Sequence, residues 1–381
     1  MMNMASAKVN ELINLSAQAC HHLREVDIYG IKALIQCERD DFLAALNEYF
    51  FASCAEIGSQ SAMDNVKIVY SHSNELFFHA LNVAAEYRVE KRVEFHPDNY
   101  YEVIFQDASG DILESRGGIR HLILRSASRQ EYCVITPDYK DNVLEYQKPG
   151  IRLLREIVFR TYQSINYFPI HASASGFGSR GFLFVGDSGA GKTTMASLLA
   201  ALADEGKFIS SDITLLKNQS DTAHAVGWPG GGISVGAGTL ACLSSVVPSA
   251  SDKKDFKHRE GYVRKGKYLL TPSEFTQMFA AEFDSQLSID AIIFPRIVPE
   301  EDACHLAHLP ANEAFERASQ QLRNSLSDTY RYGLVDILGE DIHEINSQAL
   351  ENLHSIIEKI PAFTVSGNPV AIAHALINEW K

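Results

Sequence analysis

Residues 186 to 193 read Gly-Asp-Ser-Gly-Ala-Gly-Lys-Thr, the spacing G-x-x-x-x-G-K-T. Glycines at these places let backbone N–H groups converge on an anion, because no Cβ obstructs the curl of the chain. A lysine seventh in the loop reaches the β- and γ-phosphates of a nucleoside triphosphate, and the hydroxyl after it takes a magnesium position. The expected phosphate cradle is Gly186, Asp187, Ser188, Gly189, Ala190, Gly191, Lys192, Thr193 and Thr194, with Lys192 neutralising charge and Thr193 as a metal ligand. The plain alternative is a glycine-rich turn, so the flanking residues have to decide.

They favour the cradle. Gly181-Phe-Leu-Phe-Val185 is a continuous apolar run, which predicts a buried parallel strand. After the loop, Met195, Leu198, Leu199 and Leu202 recur at the spacing of one helix face, predicting a helix over 193–204. Strand, glycine loop and helix N-terminus is the order that phosphate binding needs, and the helix dipole adds its positive end. ATP with Mg2+ is the expected ligand.

A phosphate loop also needs a carboxylate, to hold magnesium or to accept a proton from an attacking hydroxyl. Asp212, within Phe208-Ile-Ser-Ser-Asp-Ile-Thr-Leu-Leu216, is the nearest downstream candidate, on a strand expected over 207–216. An ionisable side chain amid apolar neighbours calls for a partner; the alternative is a bulge or an edge position. Other phosphate-loop classes fit poorly. No Asn-Lys-x-Asp base-reading string occurs. Neither a Leu-Ser-Gly-Gly-Gln-like signature nor a following Asp-Glu strand end is present. Phosphoryl transfer to a hydroxyl acceptor remains.

The rest of the chain bounds this reading. Its 381 residues favour two domains, and a 46% hydrophobic content supports a substantial core. A formal net charge of −14, from 34 basic and 48 acidic side chains, argues against nucleic acid or an anionic membrane as main partner. Cys20, Cys37, Cys54, Cys133, Cys242 and Cys304 form no C-x-x-C pair, so scattered reduced thiols are expected rather than zinc or disulfides. Lys8, Glu11 and Asn14 interrupt the apolar N-terminal residues, no secretory segment is read there, and the expected location is the cytoplasm. The residues are compatible with a homo-oligomer but do not specify one.

Helical spacing marks residues 1 to about 60 (Val9, Leu12, Ile13; Phe42, Leu43, Leu46, Tyr49, Phe50). From Val66 to Asp141 short alternating runs predict antiparallel strands, among them Tyr101–Phe105, Leu122–Leu124 and Glu131–Ile135. Lys148-Pro-Gly150 reads as punctuation, with a helix over 151–162. The boundary expected near residue 150 leaves a mixed α+β domain, 1–150, before an α/β domain, 151–381. In the second, strands at 291–294 and 362–365 alternate with helices near 312–326, 348–359 and 369–380, after a glycine-rich bend at Gly227–Gly232.

The segments His171-Ala-Ser-Ala-Ser175, Gly181 to Thr194 and Phe208 to Leu216 together resemble the HPr serine kinase group, built on the phosphoenolpyruvate-carboxykinase-like P-loop fold. Ala291-Ile-Ile-Phe-Pro-Arg296 and Ala362-Phe-Thr-Val365 resemble closing strands of members associated with modified-peptide gene clusters. The likeness covers roughly 151–381 and is specific from 171 to 216. It implies a kinase, with Thr193 and Asp212 holding magnesium and Asp212 or His171 taking the acceptor proton. Two departures stand out. The group has paired aspartates where this chain has Ser211-Asp212, and its glycine-bearing signature is replaced by Gly227 to Thr239. HPr is thereby weakened as the acceptor, and a reverse phosphorylase activity is unsupported.

By itself His171, ending Tyr167-Phe-Pro-Ile170, reads as a core histidine, and the resemblance supplies its site role. Arg296 is placed either on the transferring phosphate or as a solvated strand end. The run Lys253, Lys254, Lys257, Arg259, Arg264, Lys265 and Lys267 is a solvated face or a collector of acidic substrate. The acceptor expected is a serine in a peptide or protein. A small alcohol enclosed with help from the N-terminal domain is the alternative, and a non-catalytic nucleotide sensor is the third reading.

Overall fold

In the computed structural model the described residues are 7–50, 53–56, 66–85, 91–96, 99–139, 143–247, 263–264, 267–298, 301, 303–323, 334–335 and 342–381. Among them lie ten helices and four sheets, a mixed α/β protein. The chain divides into two compact units, Met1–Thr161 with Leu326–Gly339, and Tyr162–Ser325 with Glu340–Lys381.

The first unit is organised on a nine-stranded sheet. Ile31–Cys37, Val66–His72 and Glu131–Thr136 run parallel at its centre. Hairpins extend it on one side through Leu122–Ser126, Gly110–Arg116, Asn99–Asp107 and Lys91–His96, and on the other through His22–Ile28. The helices Lys8–Ala19 and Asn74–Ala85 place Val9, Leu12, Ile13, Phe77 and Ala80 against Val69, Ile112, Leu124 and Cys133 of the sheet. Residues His22 to Cys37, where helical texture was expected, instead form a hairpin turning on Tyr29 (φ 55°) and Gly30 (φ 80°). Positive φ at both central residues matches the right-handed twist of the flanking strands. The sheet also buries an ion pair. Arg125 donates twice to Asp111, each at 2.6 Å, and once to the Leu334 carbonyl at 3.2 Å. Arg129 reaches the same carboxylate at 3.1 Å.

Lys148-Pro-Gly150 does not punctuate. It lies inside the helix Val143–Ser164. Gly150 is what the position requires, because a Cβ there would come within 2.6 Å of the Phe42 ring and 2.9 Å of Tyr70. Close packing of the helix on these rings overrides the local helix-breaking tendency of the pair.

The second unit is layered around a seven-stranded mixed sheet with the order Glu282–Phe283, Gly206–Ser210, Ala172–Phe177, Arg180–Val185, Ala291–Ile297, Ala362–Gly367, Cys304–Leu309. Along Arg180–Val185, Phe182 and Phe184 enter one core with the helices Lys192–Leu202 and Pro369–Trp380. Leu183 and Val185 enter the opposite core with Ala311–Ser319 and Ile342–Lys359. Burial on both faces explains the unbroken apolar run. Its pairing is parallel only to Ala291–Ile297, and antiparallel to Ala172–Phe177. The strand expected over 207–216 is two strands in different sheets, Gly206–Ser210 and Thr214–Asn218, with Ser211-Asp212-Ile213 between them. There the Ser210 hydroxyl donates to the Ile213 carbonyl, a local bond that competes with the ladder. The helix expected near 312–326 ends at Ser319, and residues 324–326 lie outside the described ones.

Candidate functional site

Strand Arg180–Val185 delivers the chain into the loop, and helix Lys192–Leu202 receives it. Gly189 (φ 91°) and Gly191 (φ 100°) take left-handed conformations that L side chains rarely adopt. One turn bond, from the Ala190 N–H to the Asp187 carbonyl at 3.1 Å, closes the loop. Among the described residues, the N–H groups of Gly189, Gly191, Lys192 and Thr193 meet no protein acceptor, and the helix has no side-chain cap. Open donors at a helix N-terminus are what a phosphate cradle presents.

Lys192 is 6% exposed, and its ammonium donates to the carbonyls of Gly186 at 2.6 Å and Asp187 at 3.0 Å. Burial pushes its pKa down to about 8. Asp212 and Asp187 oppose that change, and Arg323 and Lys267 add to it. The Thr193 hydroxyl donates to the Ser211 carbonyl at 2.9 Å, as does that of Ser173 at 2.7 Å. These bonds fasten the turn carrying Asp212 to the first turn of the helix and to strand Ala172–Phe177. Thr194 spends its hydroxyl on Thr239, at 2.7 Å.

His171 Nε2 meets Asp212 Oδ1 at 3.0 Å. This bond is the main cause holding the Asp212 carboxyl below the usual carboxylate range, with Lys192 and Lys267 adding attraction. Since the Asp212 side chain is 69% exposed, solvent screening keeps that attraction modest. The other ring nitrogen of His171 lies 3.1 Å from Gln321 Oε1, and Gln321 Nε2 donates to Asp187 Oδ1 at 2.9 Å. A polar relay therefore runs Asp212, His171, Gln321, Asp187, and returns to the loop. Asp187 fixes the orientation of the Gln321 amide, so an acceptor oxygen faces each ring nitrogen of His171.

Sequence reasoning missed Gln321 and Arg323. The polypeptide after helix Ala311–Ser319 pairs back against Pro169–His171, through the Ile170–Leu322 bridge and the bonds His171 N–H to Gln321 O (2.8 Å) and Arg323 N–H to Pro169 O (3.0 Å). No local pattern announces a one-bridge pairing of this kind, and only the folded chain brings the two segments together.

Arg296, at the end of strand Ala291–Ile297, is not part of that relay. It lines a cavity of about 430 Å³ shared with the loop residues Gly186, Asp187 and Ala190 and with Arg317 and Gln321. The bend Gly227–Gly232 is a turn, with Gly230 at φ 57°. Of the basic run, Lys253, Lys254, Lys257, Arg259 and Lys265 lie outside the described residues. Lys267 is exposed on strand Lys267–Leu270, and its charge is felt at both Lys192 and Asp212. No helix of the described residues is long and apolar enough to cross a membrane.

The site thus joins open loop donors, a desolvated lysine, a carboxylate held ionised by a histidine, and an arginine-lined cavity at the loop's edge. No family model matches the sequence, and no curated protein matches it.

Proposed function

We propose that the chain is an ATP-dependent kinase that moves the γ-phosphoryl group to a hydroxyl acceptor, with a phosphoenolpyruvate-carboxykinase-like second unit of the HPr serine kinase kind. The observation that carries this reading is the relay. A loop that only bound nucleotide would have no use for a carboxylate–histidine pair tied back to its own second residue.

The loop N–H groups and Lys192 would hold the β- and γ-phosphates, and Lys192 would offset charge developing on the bridging oxygen. Thr193 and Asp212 would hold magnesium. Among the described residues no cluster of three or more His, Cys, Asp or Glu side chains is placed to hold a metal ion. That suits magnesium, which binds through one or two side chains plus phosphates and water. Bound there, the ion would supply neutralisation of the phosphate charge.

The acceptor oxygen bonds the γ-phosphorus as the bond from that phosphorus to the β–γ bridging oxygen breaks, and ADP leaves. Asp212 is the better proton acceptor of the two candidates. Its Oδ2 accepts no hydrogen bond among the described residues, whereas both His171 nitrogens already face oxygens. His171 then orients the carboxylate and holds it ionised. Ser211 contributes its carbonyl to the site, as acceptor for the Thr193 and Ser173 hydroxyls.

The test is Lys192→Ala, with circular dichroism to establish folding. Losing a transition-state contact of this kind costs about 3–4 kcal/mol, a hundredfold or more in ATP turnover. Turnover near that of the unaltered protein would reject the assignment.

A further inference from the structure

The kinase reading leaves the acceptor open between a peptide or protein serine and a small alcohol. The cavity beside the loop narrows that choice. Its volume, about 430 Å³, falls in the range of small-molecule sites. Its walls come from the carboxyl ends of the parallel strands Ala291–Ile297 and Ala362–Gly367, where ligands of α/β sheets bind.

Its place along the loop decides which part of the reaction it serves. It touches Val185, Gly186, Asp187 and Ala190, the strand side of the loop, while the helix turn Lys192–Thr194 is not among its lining residues. Lys192, which would reach the β- and γ-phosphates, donates its ammonium to the carbonyls of Gly186 and Asp187, both of them residues of the cavity wall. Gln321, in the cavity wall, is also the residue bonded to His171, which in turn meets Asp212. An occupant of the cavity therefore lies beside Asp187 and Gln321, the end of the relay at the loop.

Its charge defines the occupant further. Arg296 lines the cavity with no ion-pair partner among the described residues. Arg317 lies 6.0 Å above the Phe294 ring and 3.8 Å from Glu313, a loose pair that leaves most of its donors available. Thr364 and Ser366 add hydroxyls. Two guanidinium groups in one small cavity suit a carboxylate or phosphate held by several donors.

We propose, on the basis of the kinase reading above, that this cavity binds the acceptor, a small alcohol that also carries a carboxylate or phosphate group. Arg296 and Arg317 hold the anion, and the free hydroxyl turns toward the loop. That hydroxyl forms the new bond to the γ-phosphorus and gives its proton to Asp212, with ADP as the leaving group.

The experiment incubates the full chain with γ-labelled ATP and magnesium, separately with the deproteinised small-molecule fraction and with the protein fraction of a cell extract. Product mass then shows whether the parent alcohol carried a carboxylate, a phosphate or neither. The expected result is label in a small molecule whose parent was already anionic. For that product's parent, Arg317→Gln should raise the KM roughly tenfold or more, the loss of a charge-assisted contact, while the Kd of ATP moves less than about threefold. Label only in protein or in a neutral alcohol, no labelled product, or an Arg317→Gln effect confined to ATP would each overturn the proposal. Direct ATP binding, measured alongside by calorimetry with Lys192→Ala as the control, separates the two levels. Loss of ATP binding in the unaltered chain would remove the kinase reading itself, whereas ATP binding without an anionic product removes only the acceptor assignment.

Discussion

Lys192 makes the proposed nucleotide binding open to a titration experiment. Its ammonium is buried, donates only to carbonyls, and has its pKa pushed down from 10.5 to about 8. Between these two values the unfolded chain holds a proton that the folded chain has released, so the free protein gains stability as pH rises through that window. A pKa lowered by one pH unit corresponds to about 1.4 kcal/mol, which makes the cost of keeping the charge in its unliganded setting roughly 3 kcal/mol. A polyphosphate beside the ammonium supplies the missing counter-charge and raises the pKa again. Binding above pH 8 must therefore take up a proton. With a free-state pKa of about 8, uptake should be about 0.1 proton at pH 7 and about 0.8 at pH 8.5, and affinity should fall by up to about tenfold per pH unit above pH 8. At pH 8.5 the terminal phosphate is already fully ionised, so this uptake belongs to the protein. Calorimetry of ATP binding in buffers of different ionisation enthalpy counts the protons directly. Lys192→Arg, which stays charged throughout, should abolish the uptake at pH 8.5. No uptake in the unaltered protein, or the same uptake in Lys192→Arg, would refute the argument.

Three further outcomes follow from the geometry. Gln321→Leu removes the acceptor from His171 and the donor from Asp187, so turnover should fall about tenfold with ATP affinity little changed and the pH–rate profile displaced, a displacement that mere loss of packing would not produce. Asp212→Asn should abolish transfer while ATP still binds, and Ser211→Asp in the otherwise unaltered chain tests whether a second carboxylate raises turnover; equal rates would put the Ser211 side chain outside the chemistry. Arg125→Leu leaves Asp111 buried with only Arg129 at 3.1 Å, and should cost the first unit about 3 kcal/mol in urea unfolding with nucleotide affinity retained.

What was legible in the sequence is what local periodicity encodes. The apolar run before the loop, the glycines within it and the helix after it are each set by neighbours in the chain, and they stand where expected. The strands around Ala291 and Ala362 were equally readable, since both carry long β-branched or aromatic runs. The hairpin His22–Cys37 was not, because its turn, Tyr29-Gly30, has only one of the usual turn residues and its strands are half polar. Asp212 was found as a residue but misplaced as structure. A change of sheet between Ser210 and Thr214 depends on which strands are already paired, and no window of sequence reports that. Gln321 belongs to the same class. Its partner His171 is far away in the chain, and a glutamine just past a helix end carries no chemical signal until the two meet.

The Leu334 carbonyl that completes the Arg125 site carries a cost in time. Leu334 and Val335 are buried, at 1% and 2% exposure, and belong to the second segment, Leu326–Gly339, of a unit whose first segment ends at Thr161. A ribosome adding roughly 5–20 residues per second needs about 10–30 s to pass from one to the other. Throughout that interval the nascent first unit holds the Asp111–Arg125 pair without its last acceptor and without two of its buried apolar side chains. It must wait for polypeptide that follows the glycine loop 186–193, so ribosome pausing or early termination anywhere between Thr161 and Leu334 would release a first unit that lacks its final segment.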